Sequence, residues 1–327
     1  MISKRRDIVK NSEEEELKEI EFDKRYLEFL KLLVRYLNKT PILNLSTIAR
    51  EANVSVATAW RLFHLRFGRK GIELRVEPCY PNLRLRPFVF IVKSTKNLLE
   101  EDIPYALATY RAYKGFRGYL VFSAVPEEYL SQVEDYMKKL GQVVEYYELD
   151  RHLVTDISFD FYLTKELPSE VPIYQTPLKR VDFDDLDLRI LATMQELQLY
   201  PSKIASKLGG NKKTIEYRIK RRVKFLIEGF RAYFPPRIDK EKFTYAYIVR
   251  GSNKEFPRIS CLPFIKTAIS GRSTLFAIAS VPHEYKRLFL DLLSDIGEWI
   301  EIYLGEFKEK PVPYEYFDSS AKTWKPF

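Results

Sequence analysis

Apolar residues recur at intervals of three and four positions in two stretches of the chain, one near the N-terminus and one beyond the middle. This spacing predicts an amphipathic helix in each stretch, because residues three or four apart share one helix face. Favoured N-cap residues follow: Ser46 and Ser202 are predicted to open a second helix, and Ser55 and Asn211 a third. Each stretch is therefore predicted to form three helices joined by tight turns. The apolar stripes are Tyr26, Phe29, Leu30, Leu33 and Leu37, and Leu186, Ile190, Leu191, Met194 and Leu197.

Extended segments follow each predicted group of helices. Residues 72–76 and 230–234, which come after Gly71 and Gly229, are predicted to form the wing of a winged helix. Segments rich in β-branched and aromatic residues then alternate with helical segments, which predicts the β-α-β-β-α-β order of a ferredoxin-like unit. Residues 154–164 alternate between apolar and polar and are predicted to add an edge strand to the first unit. The paired strand segments are 85–94 with 242–251, and 118–126 with 273–282.

The two halves of the chain also match each other in sequence. A shift of 156 residues aligns Val125 and Pro126 with Val281 and Pro282, and it places Gly141 on Gly297. The same shift aligns Ser46, Ile48, Ala49 and Thr58 with Ser202, Ile204, Ala205 and Thr214. Two separate blocks with one shift predict an internal duplication.

The predicted fold class is therefore α+β, with two winged helix-turn-helix domains, each followed by a ferredoxin-like domain. Three prolines between residues 166 and 181 indicate a linker between the copies. The predicted divisions are an N-terminal arm (1–23), a first helix-turn-helix (24–76), a first α/β domain (77–165), the linker (166–181), a second helix-turn-helix (182–234), a second α/β domain (235–310) and a C-terminal tail (311–327).

The positive charge of the chain is concentrated in two windows. The net charge is +9; residues 202–231 contain ten Lys or Arg and two Glu, and residues 46–75 contain six and two. Local basic patches of this kind favour a polyanionic partner, with double-stranded DNA first and membrane surfaces or acidic proteins as alternatives. The content of Lys, Arg and Glu is typical of thermophilic archaeal proteins.

The N-terminus lacks the apolar segment of a secretory signal, and no apolar run is long enough to span a bilayer. Only Cys79 and Cys261 are present, which suits a reduced compartment and gives no disulfide framework. We therefore expect a cytoplasmic protein without membrane contact, metal or cofactor.

The second helical stretch contains three sequence motifs, one after another. They are D-x-x-I-L at 187–191, S-x-I-A-x-K-L-G at 202–209 and T-I-x-x-R-I-K-R at 214–221. In this order, after an acidic cap, they resemble the N-terminal domain of the Lrp/AsnC family of bacterial and archaeal regulators. The resemblance implies a helix-turn-helix followed by a ferredoxin-like domain for oligomerisation, hence a homodimer through the α/β domains. It also implies a small-molecule effector, whose existence and identity the sequence leaves open.

A recognition helix in the major groove would present its outward residues to base edges and phosphates. The inward faces of these helices are predicted to be Ile215, Ile219 and Val223 in the second copy, and Val56, Ala59 and Leu62 in the first. The residues on the opposite faces are then the ones available to DNA. The predicted DNA-contacting residues are Ser55, Ala57, Thr58 and Arg61 in the first copy, and Lys212, Lys213, Thr214, Tyr217, Arg218 and Arg221 in the second.

The main hypothesis from sequence is a sequence-specific transcription regulator and not an enzyme. One alternative is an architectural chromatin protein, which would share every basic feature but bind uniformly. Another is an enzyme, because siroheme decarboxylases resemble Lrp/AsnC proteins and pair two such halves. They carry a His- and Arg-containing motif, whereas His64, His152 and His283 share no position between the two copies, and no acid–base or metal constellation emerges from the sequence.

Overall fold

A computed structural model describes residues 24–67, 73–233 and 243–327. The predicted N-terminal arm, Gly71 and residue 234 lie outside these ranges. The helices are α1 (Lys24–Lys39), α2 (Leu45–Glu51), α3 (Val56–Arg61), α4 (Leu130–Leu140), α5 (Asp160–Leu163), α6 (Asp185–Gln195), α7 (Pro201–Leu208), α8 (Lys212–Arg221), α9 (Phe256–Ser260) and α10 (His283–Ile296).

The strands are β1 (Glu73–Pro78), β2 (Leu85–Lys93), β3 (Ala106–Tyr113), β4 (Arg117–Pro126), β5 (Gln142–Glu148), β6 (Arg151–His152), β7 (Val154–Thr155), β8 (Ile173–Tyr174), β9 (Ile227–Tyr233), β10 (Thr244–Gly251), β11 (Ile265–Ser270), β12 (Thr274–Ala279), β13 (Gly297–Glu309), β14 (Phe317–Asp318) and β15 (Thr323–Trp324). A π-helical turn, Leu62–Phe67, extends α3.

Both predicted groups of three helices form, and local capping explains where most of them start. Ser55 and Asn211 cap α3 and α8 as predicted, since their side chains accept hydrogen bonds from the backbone N–H of Thr58 and Lys213. Asp184 and Asp187 form a reciprocal capping box at the start of α6. The second helices begin earlier than predicted, because α2 starts after the Asn44 cap and α7 starts at a proline.

Nine antiparallel strands form one large sheet in the order β5-β2-β4-β3-β13-β10-β12-β11-β6. Its first four strands and the next four have the same order, the 4-1-3-2 arrangement of a ferredoxin-like unit. The two sets are joined by β3 and β13, where Tyr113 lies opposite Tyr303. The mixed helix and sheet architecture agrees with the predicted one at this level; descent of the two sets from a duplicated ancestor stays a prediction.

The sheet is folded so that its two halves face each other. Phe122 on β4 and Phe276 on β12 have ring centroids 6.1 Å apart although three strands separate them in the sheet. Four steps of about 4.8 Å would hold these strands roughly 19 Å apart in a flat sheet. The apolar core therefore lies between the halves.

The predicted wings pair with each other. Strand β1 is antiparallel to β9, with Glu73 opposite Tyr233 and Val76 opposite Phe230. Each strand also contacts the other copy's first helix, β9 against α1 and β1 against α6. Asn38 of α1 fixes the first of these contacts through hydrogen bonds to both the N–H and the C=O of Phe230. The two helix-turn-helix units are thus interlocked.

Three segments differ from the sequence-based expectation. Residues 154–164 do not form one edge strand: β6 just before them pairs with β11 of the second unit, β7 pairs with β8, and α5 follows. Residues 94–105, all of which the structure describes, connect β2 to β3 without a helix. The C-terminal segment is no free tail, because Trp324 is 2% exposed, donates to the C=O of Leu83, and lies beside Tyr105.

Candidate functional site

A pocket of about 290 Å³ lies between the facing halves of the sheet, beneath β1. Its floor includes Tyr110 and Phe122 from the first half and Thr267 and Ile278 from the second. Strand β1 forms one wall, and the C-terminal end of α6 forms part of the mouth. The folding of the sheet upon itself therefore creates the pocket.

Three polar side chains from distant parts of the sequence lie in a row at this pocket. His152 Nδ1 is 3.3 Å from Glu77 Oε2, and His152 Nε2 is 3.2 Å from the hydroxyl of Tyr80. All three line the pocket and are at most 4% exposed. Thr267 adds a hydroxyl 3.3 Å from Glu77 Oε1. We call Tyr80, His152 and Glu77 the relay.

Burial sets the protonation state of the relay. It lowers the pKa of His152 to about 4, although the carboxylate of Glu77 opposes the shift. Burial also raises the pKa of Tyr80 well above the ordinary value, and Glu77 adds to this shift. At neutral pH the imidazole is therefore uncharged, with Nε2 within hydrogen-bond distance of the Tyr80 hydroxyl and Nδ1 beside the Glu77 carboxylate and the Thr267 hydroxyl.

Arg231 lies behind the relay, with 4% of its surface exposed. Its guanidinium donates to the C=O and the hydroxyl of Ser260, each at 2.6 Å, and to the C=O of Leu153. Its Nε is 3.8 Å from Glu77 Oε1, and burial lowers the pKa of this guanidinium. Arg231 thus partly compensates a carboxylate that would otherwise be costly to bury.

A second polar group stands at the open side of the pocket. Glu309 is 3.5 Å from Arg75 and 2.8 Å from Lys266, and it accepts a hydrogen bond from Tyr110. Burial raises the pKa of Glu309, but the two cations outweigh it and bring it to about 2. The side chain of Arg75 keeps 28% of its surface exposed and lines the pocket, so it can receive a ligand carboxylate.

The charge of the lining limits which ligands the pocket can hold. Four carboxylates face two cations, with Arg75 and Lys310 as the cations. A ligand carrying many carboxylates would be repelled by such a wall, whereas a single carboxylate can be paired by Arg75. The acidic residues are Glu73, Glu77, Glu196 and Glu309.

Sequence analysis missed this site because its members share no local motif. His152 has no histidine at the equivalent position of the other copy, and its partners Tyr80 and Glu77 are more than seventy residues away in the sequence. Glu77 directly follows the predicted wing, between Val76 and Pro78, and nothing local marks it as a site residue. Only the fold brings it to His152.

In the first copy, the predicted DNA-contacting residues lie at the surface of α3. Ser55, Ala57 and Arg61 are exposed and Thr58 is half-buried; Ser55 and Thr58 also hydrogen-bond to each other at 2.9 Å. Val56 was predicted to face the core, but 52% of its surface is exposed. Trp60 is 50% exposed and packs on His64.

In the second copy, five of the six predicted residues are exposed on α8. Arg218 is the exception, because it is half-buried and its guanidinium is 2.7 Å from Asp184 and 2.9 Å from Asp187. It is therefore turned toward the start of α6 and occupied there. The exposed residues are Lys212, Lys213, Thr214, Tyr217 and Arg221. DNA contact by any of the ten residues stays a prediction.

Two absences hold for the described part of the chain. Across residues 24–67, 73–233 and 243–327, no helix has the length and apolar character needed to cross a bilayer. In the same ranges, no three His, Cys, Asp or Glu side chains are arranged to bind a metal ion.

No protein-family profile matches the sequence, and no curated protein matches it. Among solved structures, the chain is similar to siroheme decarboxylase NirDL in complex with an iron-uroporphyrin III analogue. The TM-score is 0.50 and the identity 13%, over 88% of this chain and 93% of that one. Another NirDL structure gives 0.49 and 16% over 86% and 92%. An AsnC family transcriptional regulator from Agrobacterium tumefaciens gives 0.28 and 18% over 39% and 88%.

At these identities the likeness shows the fold alone. Neither a family nor a regulator role follows from it, and the resemblance to Lrp/AsnC proteins stays a prediction. The expectation of a protein without enzymatic activity has to be corrected, because the protein that shares this fold over 88% of the chain is an enzyme. The chain thus has the fold of siroheme decarboxylase NirDL.

Proposed function

We propose that the chain is an enzyme that performs acid–base chemistry on one carboxylate-bearing arm of its substrate. The observation that carries this proposal is the relay, which lies at the wall of the pocket, with Arg75 near the mouth. Perturbed acids and bases that converge in a cleft are a physical signature of catalytic sites.

Siroheme decarboxylation on the shared scaffold suggests the reaction class. In a decarboxylation, the bond between the carboxylate carbon and its neighbour breaks and carbon dioxide leaves. The electron pair remaining on the neighbouring carbon takes a proton. Tyr80 is the proton-bearing group at the pocket, His152 and Glu77 fix its orientation, and a solvent proton restores it. Arg75 would hold and orient the carboxylate-bearing arm.

The pocket favours one arm over a whole macrocycle. Its volume of about 290 Å³ is at the lower end of the roughly 300–1,000 Å³ typical of ligand pockets. The acidic excess of the wall also disfavours a ligand with many carboxylates inside it. A large substrate would therefore place one side chain in the pocket and keep its ring outside.

The test is turnover under anaerobic conditions, with siroheme, iron-uroporphyrin III and a panel of small carboxylic acids as substrates. Mass spectrometry would detect loss of carbon dioxide from the product. Tyr80→Phe and Arg75→Gln are expected to reduce turnover at least tenfold, with Arg75→Gln also raising KM. Arg287→Gln is the control, because this side chain is 95% exposed on α10. Turnover that is equal in all four proteins would refute the assignment of the site.

DNA binding is a second candidate function, favoured by the exposed basic face of α8. Fluorescence anisotropy with genomic duplexes, including the chain's own promoter, would measure it over a salt series. We expect Lys213→Ala with Arg221→Ala to weaken binding, while Lys254→Ala with Arg272→Ala, exposed on the α/β unit, does not. Tight binding to particular fragments would support a regulator, and uniform binding would support a chromatin protein. The absence of binding would refute both DNA-binding functions.

A further inference from the structure

A second groove, of about 570 Å³, lies where the linker crosses the turn that precedes β2. Six residues line it: Pro81, Asn82, Arg84, Leu178, Lys179 and Arg180. Three of the six are cations and none is acidic. This composition contrasts with the central pocket, whose lining has an acidic excess, so the two sites would select different ligands.

A buried amide holds the groove in shape. Asn82 is 3% exposed, and its Nδ2 donates to the C=O of Pro177 at 3.1 Å and of Phe225 at 2.7 Å. Its Oδ1 accepts from the N–H of Lys179 at 2.9 Å. The linker is therefore fastened to the turn after α8, and the cations are carried by fixed backbone.

The three cations of the groove have no carboxylate partner in the part of the chain that the structure describes. Arg84 lies over the ring of Phe183 with 5.6 Å from its guanidinium carbon to the centroid, and Lys179 Nζ is 3.0 Å from the centroid of Phe225. Arg84 also has a φ of 58°, a left-handed conformation that favours glycine and costs about 1 kcal/mol in other residues. The acidic neighbours Asp182 and Glu128 are instead engaged by Lys322 and Thr323.

The groove is continuous with the basic end of α8. Lys224 Nζ is 4.7 Å from the centroid of the same Phe225 ring that Lys179 covers. Lys224 comes shortly after Lys220 and Arg221, which are exposed at the C-terminal end of α8. Lys224 and Lys179 thus connect the basic end of α8 to the groove that Arg84 and Arg180 line.

We propose that this groove binds phosphate groups through Arg84, Lys179 and Arg180. Guanidinium groups bind phosphate oxygens in a bidentate manner, and a groove without carboxylates leaves these cations available. The phosphate comes from one of two sources: the backbone of a nucleic acid that lies on α8, or a free polyphosphate compound. The first source rests on the second candidate function above, whereas phosphate binding itself does not.

The experiment titrates the full-length protein with pyrophosphate by calorimetry and with a short DNA duplex by anisotropy. The test variant is Arg84→Gln with Arg180→Gln, and the matched control is Arg272→Gln with Lys254→Gln. Thermal unfolding of all proteins checks their folding, and Arg180→Gln alone, in an exposed segment, serves if the double variant is unstable.

A nucleic-acid source predicts that the test variant binds DNA at least tenfold more weakly. The slope of log affinity against log salt should then fall by about 0.9 for each lost phosphate contact. A free polyphosphate source predicts that pyrophosphate binding is lost while DNA binding is unchanged. Pyrophosphate binding that the test variant loses, without any DNA binding by the wild type, would keep the groove while removing the DNA candidate. The proposal is overturned if neither ligand binds the wild-type protein, or if the test variant binds both as the wild type does.

Discussion

Acidification should destabilise the protein through His152 in particular. The imidazole is 3% exposed, and its burial lowers the pKa from 6.5 to about 4. Between these values the unfolded chain binds a proton at this position and the folded chain does not. The stability contributed by the neutral imidazole is therefore fully present above about pH 6.5 and is lost as the pH falls toward 4. From about pH 7.5 to 4.5, this loss amounts to about 2–3 kcal/mol, at about 1.4 kcal/mol per pKa unit.

Urea unfolding followed by circular dichroism, repeated at several pH values, measures this effect. His152→Gln is the matched variant, because its amide keeps a polar group at this position but cannot titrate. Glu77, Tyr80, Arg75 and Arg231 surround this position in both proteins, so the difference between their pH profiles isolates the histidine. Parallel profiles would refute the argument. A wild type that gains stability relative to the variant at low pH would mean that His152 is charged and forms an ion pair with Glu77.

Two further predictions concern the packing of buried side chains. Arg231→Met should lower the free energy of unfolding by about 3–5 kcal/mol, because it removes a donor to the C=O of Ser260 and one of two donors to the C=O of Leu153, and leaves the carboxylate of Glu77 without its nearest cation. Arg287→Met, at a side chain 95% exposed, should change it by less than about 0.5 kcal/mol in the same urea titration, and equal effects would contradict the structural role of Arg231. Away from the pocket, Trp324→Ala should lower the free energy of unfolding by about 3–5 kcal/mol if the C-terminal segment belongs to the core. Phe307→Ala is the control and should lower it far less, because Phe307 is 57% exposed. Thermal unfolding compares the two variants, and similar losses of stability would argue against that packing.

The helices were predictable because their signals are local. Spacing placed α1 and α6, and N-cap chemistry placed the starts of α3 and α8. The pairing of β1 with β9 was not predictable, since an extended segment after a helix-turn-helix has the same pattern whether it forms a free wing or joins another strand. The helical pattern places Arg218 on the outward face of α8, but its guanidinium forms ion pairs with Asp184 and Asp187. The relay could not be predicted from the sequence either, because its contacts depend on a sheet that folds upon itself.

The pairing of β1 with β9 has a consequence for how the chain folds during synthesis. Glu73 meets Tyr233, so the ribosome must add about 160 residues, which takes roughly 8–30 s at 5–20 residues per second, before β1 finds its partner. Until then β1 is an unpaired edge, and unpaired edges promote association between nascent chains. Slow translation of the second half would therefore lengthen the interval of aggregation risk, and separately expressed halves would each retain that risk until they meet.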